Sequence, residues 1–363
     1  MAFVASRGVI VLLALLVPLQ RGQAATGWFQ RLVGAADAGW YMTIAAGGYA
    51  HVPLSTALAT HTQENWVFFP LFPVSARVLG HVLGVSVFWA GVALTNACFL
   101  AFLFILYRWV QRDWSARAAR FAVAFAAFVP LAPYTAEFRE TSMLLLLAAV
   151  CLERLVHRHM AQAAIAGALA SLAQPDGILL VIPFMVTCWL LLRGPEDRRA
   201  GMLGVALSPL FALGAGVMAW VSAADAGTAL AFLREQAAWG RAFRLPLYAF
   251  VPFLRHPSWV TAVGWASAPV AIAATVLGLV AAIYLWRRKA AVELTVYLLV
   301  VVVAATASTV VLGLPRFIAG APPLFIAGGI APRRVAVPAL VLCVAAMVLY
   351  TTYWLLGAHW TMS

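Results

Sequence analysis

Charged residues are scarce in this chain, and that scarcity sets its class. Of the 363 residues, 10% are charged and 64% are hydrophobic, whereas a soluble domain is usually about 25% charged. Lysine occurs once, at Lys289. The cysteines lie inside apolar runs, without the spacing of metal ligands or of a disulfide framework: Cys98, Cys151, Cys188 and Cys343. The composition excludes a soluble domain and indicates a membrane protein with many helical spans.

The basic residues indicate the topology. The formal net charge is +12, but the arginines stand in twos and threes between apolar runs, so nucleic acid is not a predicted partner. Fifteen of the 24 basic residues fall in the segments 1–7, 108–120, 154–158, 193–199, 287–289 and 333–334. Because loops rich in arginine and lysine stay on the cytoplasmic side, these are the predicted inner segments. The N-terminus, with Arg7, is predicted to be cytoplasmic.

The apolar runs predict an all-α, polytopic transmembrane bundle of about eleven spans. The first run, 8–19, precedes Gly22, Gln23 and Ala24 and is interpreted as a cleaved signal peptide or, since ten spans follow, as a signal anchor. The later runs are 82–107, 118–134, 141–156, 161–173, 177–192, 201–223, 261–286, 291–313, 317–331 and 335–356. The chain, 1–363, is predicted to be one integral membrane domain. Function is expected on the outer face, which has the two long loops 20–77 and 224–260.

The first outer loop contains Asp37-Ala-Gly-Trp40-Tyr41, which is typical of a helix start. Aspartate is a favoured N-cap residue. Trp40, Tyr41 and Ile44 at helical spacing would form an amphipathic face that lies in the membrane interface. Spacing alone leaves open whether Asp37 is a structural cap or a functional carboxylate.

A second segment of the same loop runs from Glu64 through Asn65, Phe68 and Phe69 to Pro73. Prolines 70 and 73 cannot continue a regular span beyond its first turn. The segment predicts either an aromatic belt at a helix start or part of a slot for a ligand.

Four further outer clusters each have a structural interpretation. They are a solvated loop at 134–142 with Glu140, a turn at 172–177 with Asp176, a short interfacial helix at 232–241, and Arg316, which either snorkels or binds an anion. The functional interpretation rests on coincidence, because the topology places charged residues of five segments at one membrane surface: Asp37, Glu64, Glu140, Asp176 and Arg316. Charged groups that face a bundle interior are functional candidates.

The combined pattern resembles the PIG-V-type mannosyltransferases, members of the GT-C class of polyprenyl-phosphate-sugar-dependent glycosyltransferases. The matching residues spread over about 28–325 and are Asp37-Ala-Gly-Trp40-Tyr41, Ile44-Ala45, Gly48-Tyr49, Asn65-Trp66-Val-Phe68-Phe69-Pro70-Leu-Phe72-Pro73, Glu140, Pro175-x-Gly177, Gln236-Ala-Ala-Trp239-Gly240-Arg241 and Arg316. Three positions depart from the family pattern: Ala36 replaces a tryptophan, Phe138 a tyrosine and Gln174 an arginine. The departures leave the sugar and acceptor preference open.

The resemblance implies a GT-C-like fold and an inverting transfer of a hexose, with mannose as the expected sugar. The donor would be a polyprenyl-phosphate-linked sugar, and the acceptor a hydroxyl of a glycan, lipid or protein on the periplasmic face of a bacterial inner membrane. Asp37 would be the catalytic base. The implied substrate-binding residues are Trp40, Tyr41, Glu64, Asn65, Phe68, Phe69, Glu140, Asp176, Gln236, Trp239, Arg241 and Arg316. Arg241 or Arg316 is expected within about 10 Å of Asp37, near the Debye length, to meet the departing phosphate.

Other partners and functions follow from the same residues. Membrane lipids are expected partners. No cofactor is predicted, since the chain has no nucleotide-binding glycine loop and no DxD-type metal motif, although a divalent metal shared by Asp37 and Glu64 stays open. The alternatives are a transporter or flippase of lipid-linked sugars and a non-catalytic GT-C-like membrane subunit. A transporter should show repeat symmetry and charges near the middle of its spans, and neither is seen in the sequence.

Overall fold

The computed structural model describes residues 1–20, 27, 30, 33–34, 37–194, 197–255, 267–309 and 313–357. Within these ranges the regular structure is helical, apart from one isolated bridge between Phe243 and Ser308. The all-α prediction is therefore confirmed. Gly22, Gln23, Ala24 and Ala36, together with parts of the loops 20–77 and 224–260, lie outside the described residues.

Eighteen helices are described. They are α1 (Ala2–Gln20), α2 (Ala38–Gly47), α3 (Leu54–Thr60), α4 (Leu71–Leu83), α5 (Val87–Asp113), α6 (Ala116–Ala127), α7 (Thr141–Val156), α8 (Met160–Ala173), α9 (Val181–Arg193), α10 (Arg198–Leu207), α11 (Leu213–Ala226), α12 (Ala231–Arg234), α13 (Val251–Arg255), α14 (Ser267–Arg287), α15 (Val292–Thr306), α16 (Leu314–Ala319), α17 (Pro322–Ile330) and α18 (Arg333–Gly357). Short 3-10 helices occupy Asn65–Val67, Ala132–Thr135, Pro175–Leu180, Ser208–Ala212, Glu235–Ala237 and Tyr248–Phe250.

Five stretches within the described ranges are long and apolar enough to cross a membrane: Val87–Asp113, Pro175–Arg193, Arg198–Ala226, Pro269–Arg287 and Arg333–Tyr353. These stretches make the chain an integral membrane protein. Other predicted spans are shorter than the roughly 20 residues that a spanning helix needs; α6, for example, has 12 residues and α17 has 9. The count of eleven spans stays a prediction.

The described chain divides into two compact units. Unit 1 comprises Met1–Gly48, Pro70–Leu146 and Phe325–Ser363, and unit 2 comprises Tyr49–Phe69 and Leu147–Leu324. The prediction of one integral membrane domain stays a prediction.

Unit 1 contains a hairpin of α5 and α6, which contact each other and are joined by only two residues. Serine caps start both helices: the Ser86 Oγ accepts from the Trp89 N–H at 3.4 Å, and the Ser115 Oγ accepts from the Ala118 N–H at 3.1 Å. Serine at this position satisfies an amide that has no partner in the first turn. The Arg117 Nη1 donates to the Ala331 carbonyl at 3.2 Å, so the predicted inner segment 108–120 contacts the end of the predicted span 317–331.

Unit 2 is held by close helix contacts and one polar clamp. A Cβ on Gly214 of α11 would stand 1.9 Å from the Ser171 carbonyl oxygen of α8, so only glycine allows this approach. The Glu293 carboxylate at the start of α15 is 1% exposed and accepts from the Arg158 Nη1 at 2.6 Å and the Thr187 Oγ1 at 2.9 Å. A buried carboxylate needs such partners, and this one ties α15 to α9 and to the α7–α8 turn.

Candidate active site

The segment between α6 and α7 brings a cluster of charges into unit 1. The prediction of a solvated loop at 134–142 is wrong, because Glu137 and Arg139 are 0% exposed and Glu140 is 2% exposed. Its backbone is fixed at two points: the Phe138 N–H donates to the Val33 carbonyl at 2.7 Å, and the Thr95 Oγ1 donates to the Arg139 carbonyl at 3.1 Å. Arg139 lies among these acids and compensates part of their buried negative charge.

Arg139 is the centre of this cluster. Its Nη2 pairs with the Asp37 Oδ2, its Nη1 donates to the Glu137 Oε2 at 2.9 Å, and its Nε lies 3.8 Å from the Glu140 Oε2. The guanidinium carbon also stands 4.8 Å from the centroid of the Tyr134 ring. Burial lowers the pKa of Arg139, but the three carboxylates more than offset this and raise it above its ordinary value. Arg139 is therefore a permanent cation.

Phe138 anchors the segment against α5. Its ring stacks on Phe88 with centroids 6.1 Å apart and meets Phe72 edge to face at 5.1 Å. A Cβ on Gly91 would stand 2.0 Å from the Phe138 ring. The phenylalanine that departs from the family pattern is thus a packing residue beside the charge cluster.

Asp37 directly precedes α2, as predicted, but its side chain does not cap the helix. Asp37 has helical dihedrals, φ −64° and ψ −11°, and its carboxylate makes no capping hydrogen bond. A capping side chain normally needs an extended backbone at that position. Only the Asp37 backbone carbonyl serves the first turn, accepting from the Trp40 and Tyr41 N–H groups at 3.1 and 3.2 Å. The capping interpretation is wrong, and the carboxylate is used by Arg139 instead.

Exposure separates Asp37 from the other two acids. The Asp37 side chain is 19% exposed, compared with 1% for Glu137 and 2% for Glu140. Asp37 is therefore the most accessible of the three acids, whereas the two glutamates contact Arg139 from inside the protein.

Tyr41 and Ile44 point into the protein, so the predicted interfacial face is wrong for these two residues. They are 3% and 4% exposed, and the Tyr41 ring meets Phe72 edge to face at 5.6 Å. The Tyr41 hydroxyl hydrogen-bonds to Glu140. Burial, followed by the negative charges of Glu140 and Asp37, raises the pKa of Tyr41 well above its ordinary value, so the phenol stays protonated and is the donor. Trp40 is half-buried.

Arg7 is a second cation that contacts the segment between α6 and α7. It lies inside α1, and its Nη2 donates to the Thr135 carbonyl at 2.7 Å while its Nε donates to the Asn96 Oδ1 at 2.8 Å. The cytoplasmic side of the N-terminus stays a prediction, but Arg7 precedes the predicted apolar run 8–19 and yet lies inside a helix. The helix starts six residues earlier than the apolar run suggested, because the guanidinium finds polar partners in the core.

The predicted residues of unit 2 form a separate aromatic and carboxylate cluster. Phe68 meets Trp239 edge to face at 5.4 Å, and the Glu64 N–H donates to the Glu235 Oε1 at 2.9 Å. Phe69 packs on Phe232 with centroids 6.2 Å apart. Two segments that were predicted to be outer therefore pack together. The predicted interfacial helix at 232–241 is shorter than expected, since α12 ends at Arg234 and a 3-10 turn follows.

Asn65 has a structural role that the sequence did not suggest. It is 2% exposed, and its Oδ1 accepts from the Ala50 N–H at 3.0 Å.

The predicted turn at 172–177 is the start of a 3-10 helix, in which the Gln174 Nε2 donates to the Asp176 Oδ2 at 3.0 Å. The contact uses the glutamine that replaces the arginine of the family pattern.

Arg241 and Arg316 each lie against an aromatic ring. The Arg241 guanidinium stands 5.6 Å from the Trp239 centroid, and that of Arg316, which is half-buried in α16, stands 5.2 Å from the Phe317 centroid. The Gln236 carbonyl accepts from the Arg241 N–H at 2.8 Å.

The predicted site residues are divided between the units. Asp37, Trp40, Tyr41 and Glu140 belong to unit 1, and the others belong to unit 2. The convergence of the two sets, including the distance of about 10 Å from Asp37 to a phosphate-binding arginine, stays a prediction. The described residues contain no group of three or more His, Cys, Asp or Glu side chains that could hold a metal ion, and a metal shared by Asp37 and Glu64 stays open.

Sequence reasoning missed Arg139, Glu137 and Glu235. A signal for the first two exists: Glu137-Phe-Arg139-Glu140 puts three charges in four residues of a chain that is only 10% charged. Opposite charges at that density beside apolar runs indicate mutual pairing. Glu235 shows no such local signal.

The chain is similar in structure to one solved protein. No family model and no curated protein matches the chain. Among solved structures, the chain is similar to the crystal structure of the Archaeoglobus fulgidus oligosaccharyltransferase tethered with an acceptor peptide containing the NVT sequon via a disulfide bond, at 11% identity and a TM-score of 0.46. The match covers 97% of this chain and 55% of that one, so the chain spans about half the length of that protein. A likeness at this level establishes neither a family nor an activity.

Proposed function

We propose that this protein is a membrane glycosyltransferase that moves a hexose from a polyprenyl-phosphate donor to an acceptor hydroxyl on the non-cytoplasmic face. Mannose is the proposed sugar, following the resemblance to the PIG-V-type enzymes. The observation that carries the proposal is the Asp37 carboxylate, which is partly exposed and is held by a fully buried arginine.

The chemistry needs a base of this kind. The acceptor oxygen attacks the anomeric carbon on the face opposite the phosphate, so a new C–O bond forms while the bond to the phosphate breaks. The electron pair of the broken bond leaves with the phosphate, and the hydroxyl proton passes to Asp37. A positioned general base contributes on the order of 10²–10⁴-fold, and Arg139 supports it by fixing the orientation of the carboxylate.

The donor is proposed to use the residues of unit 2. Phe68 and Trp239 would line the slot for the sugar or the first part of its lipid. Arg241 or Arg316 would bind the leaving phosphate, since a guanidinium can donate two parallel hydrogen bonds to phosphate oxygens. The acceptor is proposed to be a glycan, lipid or protein in the periplasm of a bacterium.

A turnover assay tests the proposal. Purified protein in lipid nanodiscs is given polyprenyl phosphate carrying a radiolabelled hexose and a panel of glycan, lipid and peptide acceptors. We expect labelled acceptor and an equal amount of free polyprenyl phosphate with the wild type, and neither with Asp37→Asn. Asp225→Asn is the matched control, because Asp225 is another carboxylate on the predicted outer face and lies 2.9 Å from the exposed His51 side chain.

The same preparation separates the alternatives. In sealed vesicles, movement of the labelled lipid across the bilayer without release of polyprenyl phosphate would identify a transporter. Absence of both transfer and transport with every donor would identify a non-catalytic membrane subunit and refute the proposal.

A further inference from the structure

The turns that precede α6 and α18 pack together at one end of unit 1. The Arg117 Nη1 donates to the Ala331 carbonyl at 3.2 Å, and α6 contacts α18. A Cβ on Gly329 of α17 would stand 2.5 Å from the Ala118 carbonyl oxygen, so the glycine allows a close approach of the two turns. The arginines that follow these turns therefore lie at the same end of the unit.

This packing gathers four exposed arginines, which we call the α6–α18 basic surface: Arg117, Arg120, Arg333 and Arg334. In the part of the chain that the structure describes, the side chains of the last three make no hydrogen bond or ion pair. Their donor groups are therefore available to an anion from outside the protein.

The turns themselves do not neutralise this charge. Asp113 is the only acidic residue in the segments 108–120 and 331–336. Its carboxylate is already used, because its Oδ1 lies 2.9 Å from the Arg112 Nε and its Oδ2 accepts from the Trp109 Nε1 at 2.9 Å.

Uncompensated charge is not a general property of the predicted inner segments. In the segment 154–158 both arginines pair with carboxylates: the Arg154 Nε lies 3.0 Å from the Glu153 Oε2, and the Arg158 Nη1 lies 2.6 Å from the Glu293 Oε1. The contrast singles out the α6–α18 basic surface.

The α6–α18 basic surface lies at the boundary of the membrane. Two of the stretches that are long enough to cross a bilayer meet here, since Val87–Asp113 ends just before α6 and Arg333–Tyr353 begins in α18. Arginines at the end of a spanning helix are at the level of the lipid headgroups. The anion nearest to them is thus the phosphate of a bilayer lipid.

An apolar track continues from the arginines along α18. Arg334, Val337 and Val341 are spaced by three and four residues, so they share one face of the helix. The valines are 41% and 63% exposed, whereas Ala336 on the opposite face is 0% exposed. Guanidinium groups above exposed valines complement a phosphate that carries a hydrocarbon chain.

We propose that the α6–α18 basic surface binds an anionic phospholipid of the bilayer, with its phosphate at the arginines and one acyl chain along Val337 and Val341. A zwitterionic phospholipid fits less well, because its own ammonium group offsets the charge of the phosphate. This proposal does not depend on the proposed function, since the surface contains none of the candidate site residues.

Lipid binding to the full chain tests the proposal without any transfer reaction. The protein in neutral detergent is titrated with phosphatidylglycerol or phosphatidylcholine, and native mass spectrometry measures the affinity for the first lipid bound. We expect phosphatidylglycerol to bind at least about tenfold more tightly than phosphatidylcholine. The variant R120Q/R333Q/R334Q should lose about tenfold or more in affinity for phosphatidylglycerol and keep its affinity for phosphatidylcholine.

The matched control is R287Q/R288Q/K289Q. It also removes three exposed basic residues at the end of a spanning stretch, Pro269–Arg287, and it should bind phosphatidylglycerol as the wild type does. An equal loss in the two triple variants would overturn the proposal, since the lipid would then respond only to total positive charge.

Val337→Glu provides a second variant, which keeps all four arginines and places a competing carboxylate one turn from Arg334. It should show the same loss as R120Q/R333Q/R334Q. Wild-type affinity in both variants would overturn the proposal. Displacement of the lipid by an equal concentration of glycerol 3-phosphate would also overturn it, because the surface would then bind a free phosphate without using the valines.

Discussion

Arg139 allows three acids to stay together inside unit 1. It contacts Asp37, Glu137 and Glu140 with different nitrogens of one guanidinium. A lysine could not replace it, because an ammonium is a single point charge without this planar fork. The arrangement also explains why Asp37 is directed away from the start of α2, where a sequence pattern alone would have it cap the helix.

Replacing Arg139 with glutamine should strongly destabilise the protein. Removal of one partner of a buried ion pair costs about 3–5 kcal/mol, since it leaves the other charge uncompensated, and here two buried glutamates remain. The melting temperature in detergent measures the effect. The double variant R139Q/E137Q should recover part of the loss, because one unpaired carboxylate is gone. Arg112→Gln, which breaks an exposed pair with Asp113, is the control and should change stability by less than about 1 kcal/mol. A melting temperature of Arg139→Gln equal to that of the wild type would contradict the role of Arg139.

At the scale of elements, the sequence predicted helices well where the apolar run was continuous. The predicted span 141–156 has the same bounds as α7, and 161–173 differs from α8 by one residue. The start of α4 was predicted as one of two alternatives, an aromatic belt at a helix start, but most of the helix fell inside the predicted loop 20–77. Pro73 lies in the first turn of α4, where proline is tolerated. The burial of 134–142 could not be predicted from spacing, since it depends on Asp37, about 100 residues earlier.

The contact between α5 and the Arg139 segment can be tested with one methyl group. In Gly91→Ala the new Cβ would stand 2.0 Å from the Phe138 ring, and such overpacking costs about 1–3 kcal/mol. We expect a lower melting temperature and lower transfer activity, because the shift of Phe138 moves its neighbour Arg139. Gly216→Ala is the control: it lies inside α11 with nothing within 4 Å of the added Cβ, so it should be neutral or slightly stabilising. Equal behaviour of the two variants would show that the close approach at Gly91 is not required.

The packing of the Glu235 turn on Glu64 should make stability depend on pH. Burial, with the charge of Glu64 adding to it, raises the pKa of Glu235 above its ordinary value of 4.5, and burial also raises the pKa of Glu64. The folded state therefore binds these protons more tightly than the unfolded state. Their contribution to stability is fully present below pH 4.5 and is lost as the pH rises through the raised pKa values.

Glu235→Gln isolates this effect. Glutamine resembles the protonated acid, and its amide oxygen can still accept the Glu64 N–H. The melting temperature of the variant, relative to that of the wild type, should rise as the pH is increased from about 4.5 to 8, because only the wild type ionises at this position. Asp225→Asn serves as the control carboxylate. A constant difference between Glu235→Gln and the wild type over this range would contradict the interpretation.

At the scale of the whole molecule, the charge pattern predicts a cytoplasmic N-terminus and an outer 224–260 loop. Single cysteines at Leu245, which is 80% exposed, and at Asp197, in a predicted inner segment, test this orientation. A membrane-impermeant maleimide applied to intact cells should label the cysteine at 245 and spare the one at 197. The native Cys98, Cys151 and Cys188 are buried, and Cys343 can be replaced by alanine. The opposite labelling pattern would place Asp37 on the cytoplasmic side and overturn the proposed site of transfer.

The most direct test of the account is the single-turnover rate of Asp37→Asn with donor already bound. Asparagine keeps the shape of the side chain but cannot accept the acceptor proton, and Glu137 and Glu140 still compensate Arg139, so the protein is expected to fold. We predict a rate at least about 100-fold below that of the wild type, with the melting temperature and donor affinity little changed. A rate within about threefold of the wild type, in a folded and donor-bound Asp37→Asn variant, would contradict the assignment of Asp37 as the base, because loss of a general base should lower the rate about 100-fold or more.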